Sequence, residues 1–199
     1  MILYYSTNSP FARVARMAAR ESGKMAEVEE RMAANRAPDN PVLIHSPVGR
    51  VPTLVVGELV ITEARYIYDF LTKKSTNPDV VSIPPLDVKA VSQEGQILGF
   101  MDGIACWVRE NRREISMRSM FLVDVERDRS LRCLMSLERV AQKMDLPDFA
   151  TFRGMALAAG LDLMQSNGFH PDWQAKHPHL AGWFSEVKLR RSMIETAPE

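Results

Sequence analysis

The sequence predicts an α/β domain over residues 1–75, an all-α helical bundle over 87–199, and a linker between them at 76–86. Three observations carry this division. Short β-type runs alternate with helical periodicity as far as Leu71. The stretch STNPDVVSIPPL, residues 75–86, holds three prolines and no periodicity. Beyond it no strand pattern recurs, only apolar residues spaced by three, four or seven.

The first run, ILYY at 2–5, is a compact strand bounded by the polar STNS. Phe11, Val14, Ala15 and Ala18 then keep helical spacing, with Arg13, Arg16 and Arg20 on another face and Gly23 as the stop. AEVEERM at 26–32 is a weaker strand, and PVLIHSP gives one helical turn before a loop. TLVV and ELVI flank Gly57 and Glu58 as a hairpin, after which Thr62 caps a helix with Ile67, Phe70 and Leu71 on one side. The order β-α-β-(α)-β-β-α implies a parallel crossover plus an antiparallel edge, the layout of a thioredoxin-like domain. In the second half, Val88, Val91, Gly95, Leu98, Ala105 and Val108 fit one long helix. Leu131, Leu134, Leu137, Ala141 and Met144 mark a second helix. A buried third carries Leu157, Leu161 and Met164, and a last carries Leu180, Trp183, Phe184 and Val187.

Composition excludes several function classes. Lys plus Arg equals Asp plus Glu at 25 each, so the chain lacks the basic surplus of a nucleic-acid binder. No apolar run approaches the roughly 20 residues that span a bilayer. The opening MILYYSTNSP lacks the basic flank, apolar core and cleavage site of a signal peptide, so the expectation is a cytoplasmic protein with no membrane or nucleic-acid partner. Cys106 and Cys133 read as small apolar helix residues rather than nucleophiles. His45, His170, His177 and His179 lack metal-ligand spacing, so no metal is expected. RENRRE, residues 109–114, reads as a solvated helix face.

Several residues admit two physical readings. Ser9 before Pro10 makes a good N-cap, and the same hydroxyl can face a ligand. A proline opening a strand costs no ladder bond; Val51-Pro52 is then an ordinary trans bond or one of the roughly 5–6% that are cis. Glu63 at a helix start is favoured by the helix dipole, and it can equally hold a cation. Arg50 either pairs with a carboxylate or sits solvated in its loop; Phe11 is either core or ligand wall.

SPFAR, then HSPVGRVPTLV, then ITEARYIYDFL, in that order, resemble the glutathione S-transferase family of bacterial, serine-type members. MDGIACWV with RENRRE resembles the family's long helix, and HPHLAGWFSEVKLRRSMIETAP its closing helix and tail. The resemblance covers nearly the whole chain. It implies glutathione as co-substrate, with Ser9 (alternatively Tyr5) donating to its thiolate. A cis Val51-Pro52 would pair the Val51 backbone with the tripeptide. Glu63 would hold the γ-glutamyl ammonium, and the Ala64 N–H would receive the γ-glutamyl carboxylate. Arg50 would take the glycyl carboxylate, with Phe11 alongside. Met101, Ile104, Ala105 and Val108 would line a pocket for a small hydrophobic electrophile, in a homodimer serving detoxification. Two departures stand out. Ala64 replaces the family's serine, which leaves room for a non-catalytic binding or regulatory protein. Gly154 replaces the acid of a capping box begun by Thr151. A reductase working through mixed disulfides needs a cysteine at position 9, where this chain has Ser9.

Overall fold

In the computed structural model, which describes residues 1–34, 37–73, 75, 77–80 and 87–198, four strands form one mixed sheet. They are β1 (Ile2–Tyr5), β2 (Glu29–Met32), β3 (Thr53–Val56) and β4 (Leu59–Thr62). The spatial order is β2-β1-β3-β4, with β1 parallel to β2 and antiparallel to β3, and β3 antiparallel to β4. Leu3 pairs with Leu54, both fully buried, so the register sets the sheet's apolar face on the core. The crossover from β1 to β2 runs through α1 (Pro10–Glu21), which ends at Ser22 and Gly23, the latter at φ +74° where glycine carries no Cβ penalty. A single 3₁₀ turn at Met25–Glu27 shortens β2 relative to the 26–32 run, and another at Pro41–Ile44 matches the expected turn. This is the thioredoxin-like arrangement that the order of elements predicted. The expected linker at 76–86 lies mostly outside the described residues.

Helix α2 (Ala64–Thr72) corrects one expectation. Thr62 closes β4, and Glu63 occupies the N-cap position with no side-chain cap. Its buried stripe is Ala64, Ile67, Tyr68 and Leu71, whereas Phe70 is 41% exposed because it falls off the i, i+3/i+4, i+7 row.

The arginine face of α1 is not a solvent face. Arg13 is 3% exposed; its guanidinium donates to Asp162 (2.5 Å), the Met193 carbonyl (2.9 Å) and the Thr196 hydroxyl (3.3 Å). Burial pushes the Arg13 pKa down, against the attraction of Asp162. Arg16 and Arg20 share Glu30, at 3.1 and 2.6 Å, and Arg20 also reaches Glu195 at 2.9 Å. The C-terminal tail is thereby stapled to α1.

The remaining helices are α3 (Val88–Asn111), α4 (Met120–Gln142), α5 (Phe152–Ser166), α6 (Trp173–Lys176), α7 (Pro178–Val187) and α8 (Arg191–Glu195). In α4 the inner face is Leu134, Leu137 and Ala141; Leu131 is partly exposed and Met144 lies beyond the helix in solvent. Val88 and Val91, expected on a packing stripe, are exposed on the first turns of α3. Leu157, Leu161 and Met164 of α5 are fully buried, as their spacing predicted. One apolar cluster runs from Leu3 through Phe100 and Leu157 to Met193, so both halves share a core. Across it Tyr68 donates to the Ala150 carbonyl at 2.8 Å. At the start of α7, Glu138 of α4 accepts from the Leu180 and His179 N–H groups at 2.9 and 3.3 Å, a cap supplied by another helix.

The missing acid at Gly154 has a steric cause. Thr151 caps α5, its Oγ1 accepting from the Gly154 N–H at 3.1 Å. A Cβ on residue 154 would stand 2.1 Å from the Asp148 carbonyl oxygen and 2.6 Å from the Phe149 Cα, both backbone atoms. Gly154→Ala is therefore expected to destabilise by about 2–3 kcal/mol, although alanine is the better helix former by about 1 kcal/mol. Thermal unfolding checks this; an unchanged or raised midpoint would refute the close approach.

Candidate functional site

A cleft of about 750 Å³ opens between the sheet half and the helical half. Ser9 stands at its edge. Extended backbone (φ −95°, ψ 112°) makes it the N-cap of α1, and its Oγ accepts from the Ala12 N–H at 3.2 Å. Pro10 has no N–H and the Arg13 N–H goes to the Ser9 carbonyl at 2.9 Å. Phe11 is then left with the first-turn N–H that has no partner among the described residues. A hydroxyl that accepts one bond keeps its proton to donate, so cap and ligand-facing donor are compatible roles. Phe11 itself is half-buried, packed on the core and lining the cleft.

Facing Ser9 are two turns of unusual backbone. The Val51-Pro52 bond is cis, the Val51 side chain is buried, and the Thr53 hydroxyl donates to the Arg50 carbonyl at 2.7 Å. Arg50 is exposed in the cleft wall. Glu63 adopts φ 70°, ψ 127°, a left-handed setting that costs a non-glycine residue on the order of 1–3 kcal/mol. This strain turns the exposed Glu63 side chain and the uncapped start of α2 at Ala64 into the same cleft. Arg65 follows, held by Asp69 at 2.8 Å and Glu94 at 2.9 Å; burial pushes the Glu94 carboxyl up against that attraction.

The opposite wall is α3. Leu98, Asp102, Ala105, Arg109 and Arg112 recur at steps of four, three, four and three, which is one face of a helix, and all line the cleft together with Val108. Met101 and Ile104 do not: both are fully buried in the shared core, because they sit on the adjacent row that faces inward. Tyr5 is likewise outside the cleft, its ring lying 4.1 Å from the Arg16 guanidinium. The structure thus brings together Ser9, Phe11, Arg50, Val51, Pro52, Glu63, Ala64, Ala105 and Val108. RENRRE is not wholly a solvated face either, since Arg109 and Arg112 belong to the wall. Their spacing from Leu98 and Ala105 was the signal that sequence reasoning passed over. Cys106 and Cys133 are half-buried, and burial pushes the Cys133 thiol up, away from a thiolate. No group of three or more His, Cys, Asp or Glu side chains fit to hold a metal occurs among the described residues.

Residues 3–79 match the family model of the glutathione S-transferase N-terminal domain. A glutathione S-transferase from Methylobacillus flagellatus KT, crystallised with glutathione bound, superposes with a TM-score of 0.87 at 24% identity, covering 100% of this chain and 99% of that one. The chain has a glutathione S-transferase N-terminal domain on a glutathione S-transferase fold. A glutathione transferase family member from Pseudomonas fluorescens Pf-5, with bound S-(propanoic acid)-glutathione, gives a TM-score of 0.83 at 25% identity over 100% of both chains. A third glutathione S-transferase, from Methylobacterium radiotolerans JCM 2831 in complex with glutathione sulfonate, gives 0.83 at 24% identity over 99% of this chain and 94% of that one. No curated protein matches by sequence. Among the described residues of this glutathione S-transferase fold, no helix is long and apolar enough to cross a membrane.

Proposed function

We propose that the protein is a glutathione transferase that binds glutathione along the cleft and activates its thiol for attack on an electrophile with an apolar body. The observation that carries this reading is the convergence of Ser9, the cis Val51-Pro52 bond and the strained Glu63-Ala64 turn on one cleft. In it the Val51 backbone pairs with the cysteinyl peptide in the manner of an added strand. Glu63 takes the γ-glutamyl ammonium, the Ala64 N–H the γ-glutamyl carboxylate, and Arg50 the glycyl carboxylate. Ser9 donates to the sulfur beside the positive end of α1. Leu98, Ala105, Val108 and Phe152 supply an apolar wall for the electrophile. We also assign residues 1–75 and 87–199 as the two domains and the cytoplasm as the compartment. A two-fold homodimer fits the exposed Tyr66 and Phe70 of α2 and Val88 and Val91 of α3. Sedimentation should return twice the mass of the chain.

One observation favours a second reading. Ala64 offers only a backbone donor, and the lost hydroxyl bond weakens glutathione by up to about tenfold; a binding or regulatory protein tolerates that more readily than an enzyme does. Calorimetric titration with glutathione and turnover of a generic electrophile decide between the two. Binding with turnover supports the transferase, binding alone the regulatory reading, and neither would end both.

A further inference from the structure

Four arginines line the cleft: Arg50 ahead of β3, Arg65 in the first turn of α2, Arg109 in the last turn of α3 and Arg112 at the C-cap of α3. Arg65 is held by Asp69 and Glu94, whereas Arg50, Arg109 and Arg112 have no hydrogen-bond or ion-pair partner among the described residues. Their neighbours in sequence are engaged. Arg113 pairs with the buried Glu110 at 2.9 Å, and Arg118 donates to the Asn111 carbonyl at 2.6 Å. Basic residues at a helix C-terminus are favoured by the dipole, which accounts for arginines there but not for two of them turned unpaired into a cleft. Residues three apart share one helix face with Cβ atoms about 5–6 Å apart, so the two guanidiniums can grip one carboxylate together. The cleft-lining acid on the same helix, Asp102, is two turns away, about 10 Å along the axis, roughly one Debye length at physiological salt.

We infer that Arg109 and Arg112 select an electrophile bearing an anionic group, a carboxylate carried on an apolar body. The inference rests on the reading above, in which glutathione occupies the sheet side of the cleft and Arg50 serves its glycyl carboxylate. Leu98, Ala105 and Val108 then contact the apolar body, and the acid reaches along the same helix face to the arginine pair. For a benzylic halide the glutathione thiolate attacks the benzylic carbon. The S–C bond forms as the C–Br bond breaks, bromide leaves with the bonding electrons, and the thiol proton passes to solvent.

The test compares 4-(bromomethyl)benzoate with 4-(bromomethyl)benzamide on the whole protein, each rate divided by its spontaneous rate with glutathione. The carboxylate is expected to give a kcat/KM about tenfold higher, with the ratio falling as salt rises. Arg109→Gln with Arg112→Gln brings the ratio to about one, Arg109→Lys with Arg112→Lys restores part of it, and Arg132→Gln on the exposed face of α4 leaves it unchanged. Circular dichroism and the melting temperature confirm that the variants fold. A ratio of one in the unaltered protein, or a double variant that keeps the preference, overturns the inference while glutathione binding and turnover still stand. A double variant whose main change is a raised glutathione Kd also overturns it, because the pair then serves the tripeptide. If calorimetry detects no glutathione binding to the unaltered protein, the underlying reading falls, and this inference with it.

Discussion

Asp162→Ala lowers the melting temperature by about 10 °C. Arg13 is 3% exposed and Asp162 is its only carboxylate partner among the described residues, at 2.5 Å, with the other nitrogens spent on the Met193 carbonyl and Thr196. Removing the acid leaves a guanidinium buried without a counter-charge, a loss of about 3–5 kcal/mol. A chain of this size shifts by about 2–4 °C per kcal/mol. The pair itself contributes far less than its rupture costs, because both charges were taken out of water to form it. Arg13→Met with Asp162→Leu is therefore expected to be more stable than Asp162→Ala alone, and thermal unfolding of the three variants measures the difference. A double variant no better than the single would mean that the pair contributes specific attraction beyond mutual neutralisation.

With Ser9 in its proposed role as donor to the glutathione sulfur, Ser9→Ala is expected to lower kcat/KM at pH 7 by about ten- to a hundredfold and to move the alkaline-rising limb of the pH profile upward by roughly one to two units. A hydrogen bond to a charged sulfur contributes about 1.5–3 kcal/mol, and each pKa unit corresponds to 1.36 kcal/mol. The donor favours the thiolate, so its loss raises the thiol pKa toward the free value near 8.5. The defect is accordingly largest below that pH and shrinks above it. The same change removes the bond from the Ala12 N–H, costing about 1 kcal/mol of stability. Ser9→Thr retains both bonds and serves as the control. Unchanged rate and pH profile in Ser9→Ala would assign the sulfur to the Phe11 N–H and the dipole of α1 instead, because Tyr5 lies outside the cleft.

What the sequence disclosed was local in the chain. The cap at Ser9-Pro10, the turn ahead of β3 and the hairpin around Gly57 each depend on a few consecutive residues, and each formed where the residues indicated. Motif order went further: it raised the cis Val51-Pro52 bond above its low base frequency, and the bond is cis. Features set by distant partners stayed hidden. Arg13 looked like part of a polar face because its acid lies 149 residues onward. Gly154 looked like a weakened cap because the obstruction is the path of the backbone at Asp148 and Phe149, which no local pattern encodes. On α3, a helix buried along one side and facing a cleft along another, apolar periodicity could not separate Met101 and Ile104 from Leu98 and Ala105. The cap of α2 was expected at Thr62 and stands at Glu63, because a strained left-handed residue contradicts the ordinary preference for a threonine cap.

The staple between α1 and the tail also bears on how the chain is made. The bond from Arg13 to Thr196 joins residues 183 apart, and Arg20 to Glu195 joins residues 175 apart. A ribosome therefore finishes β1 to β4 and α2, with Glu30 already beside Arg16 and Arg20, long before Asp162 and Glu195 have left the exit tunnel. Until then the helix that presents Ser9 carries the Arg13 guanidinium with no acid beside it, and the early-made half waits, incompletely packed, for residues translated much later.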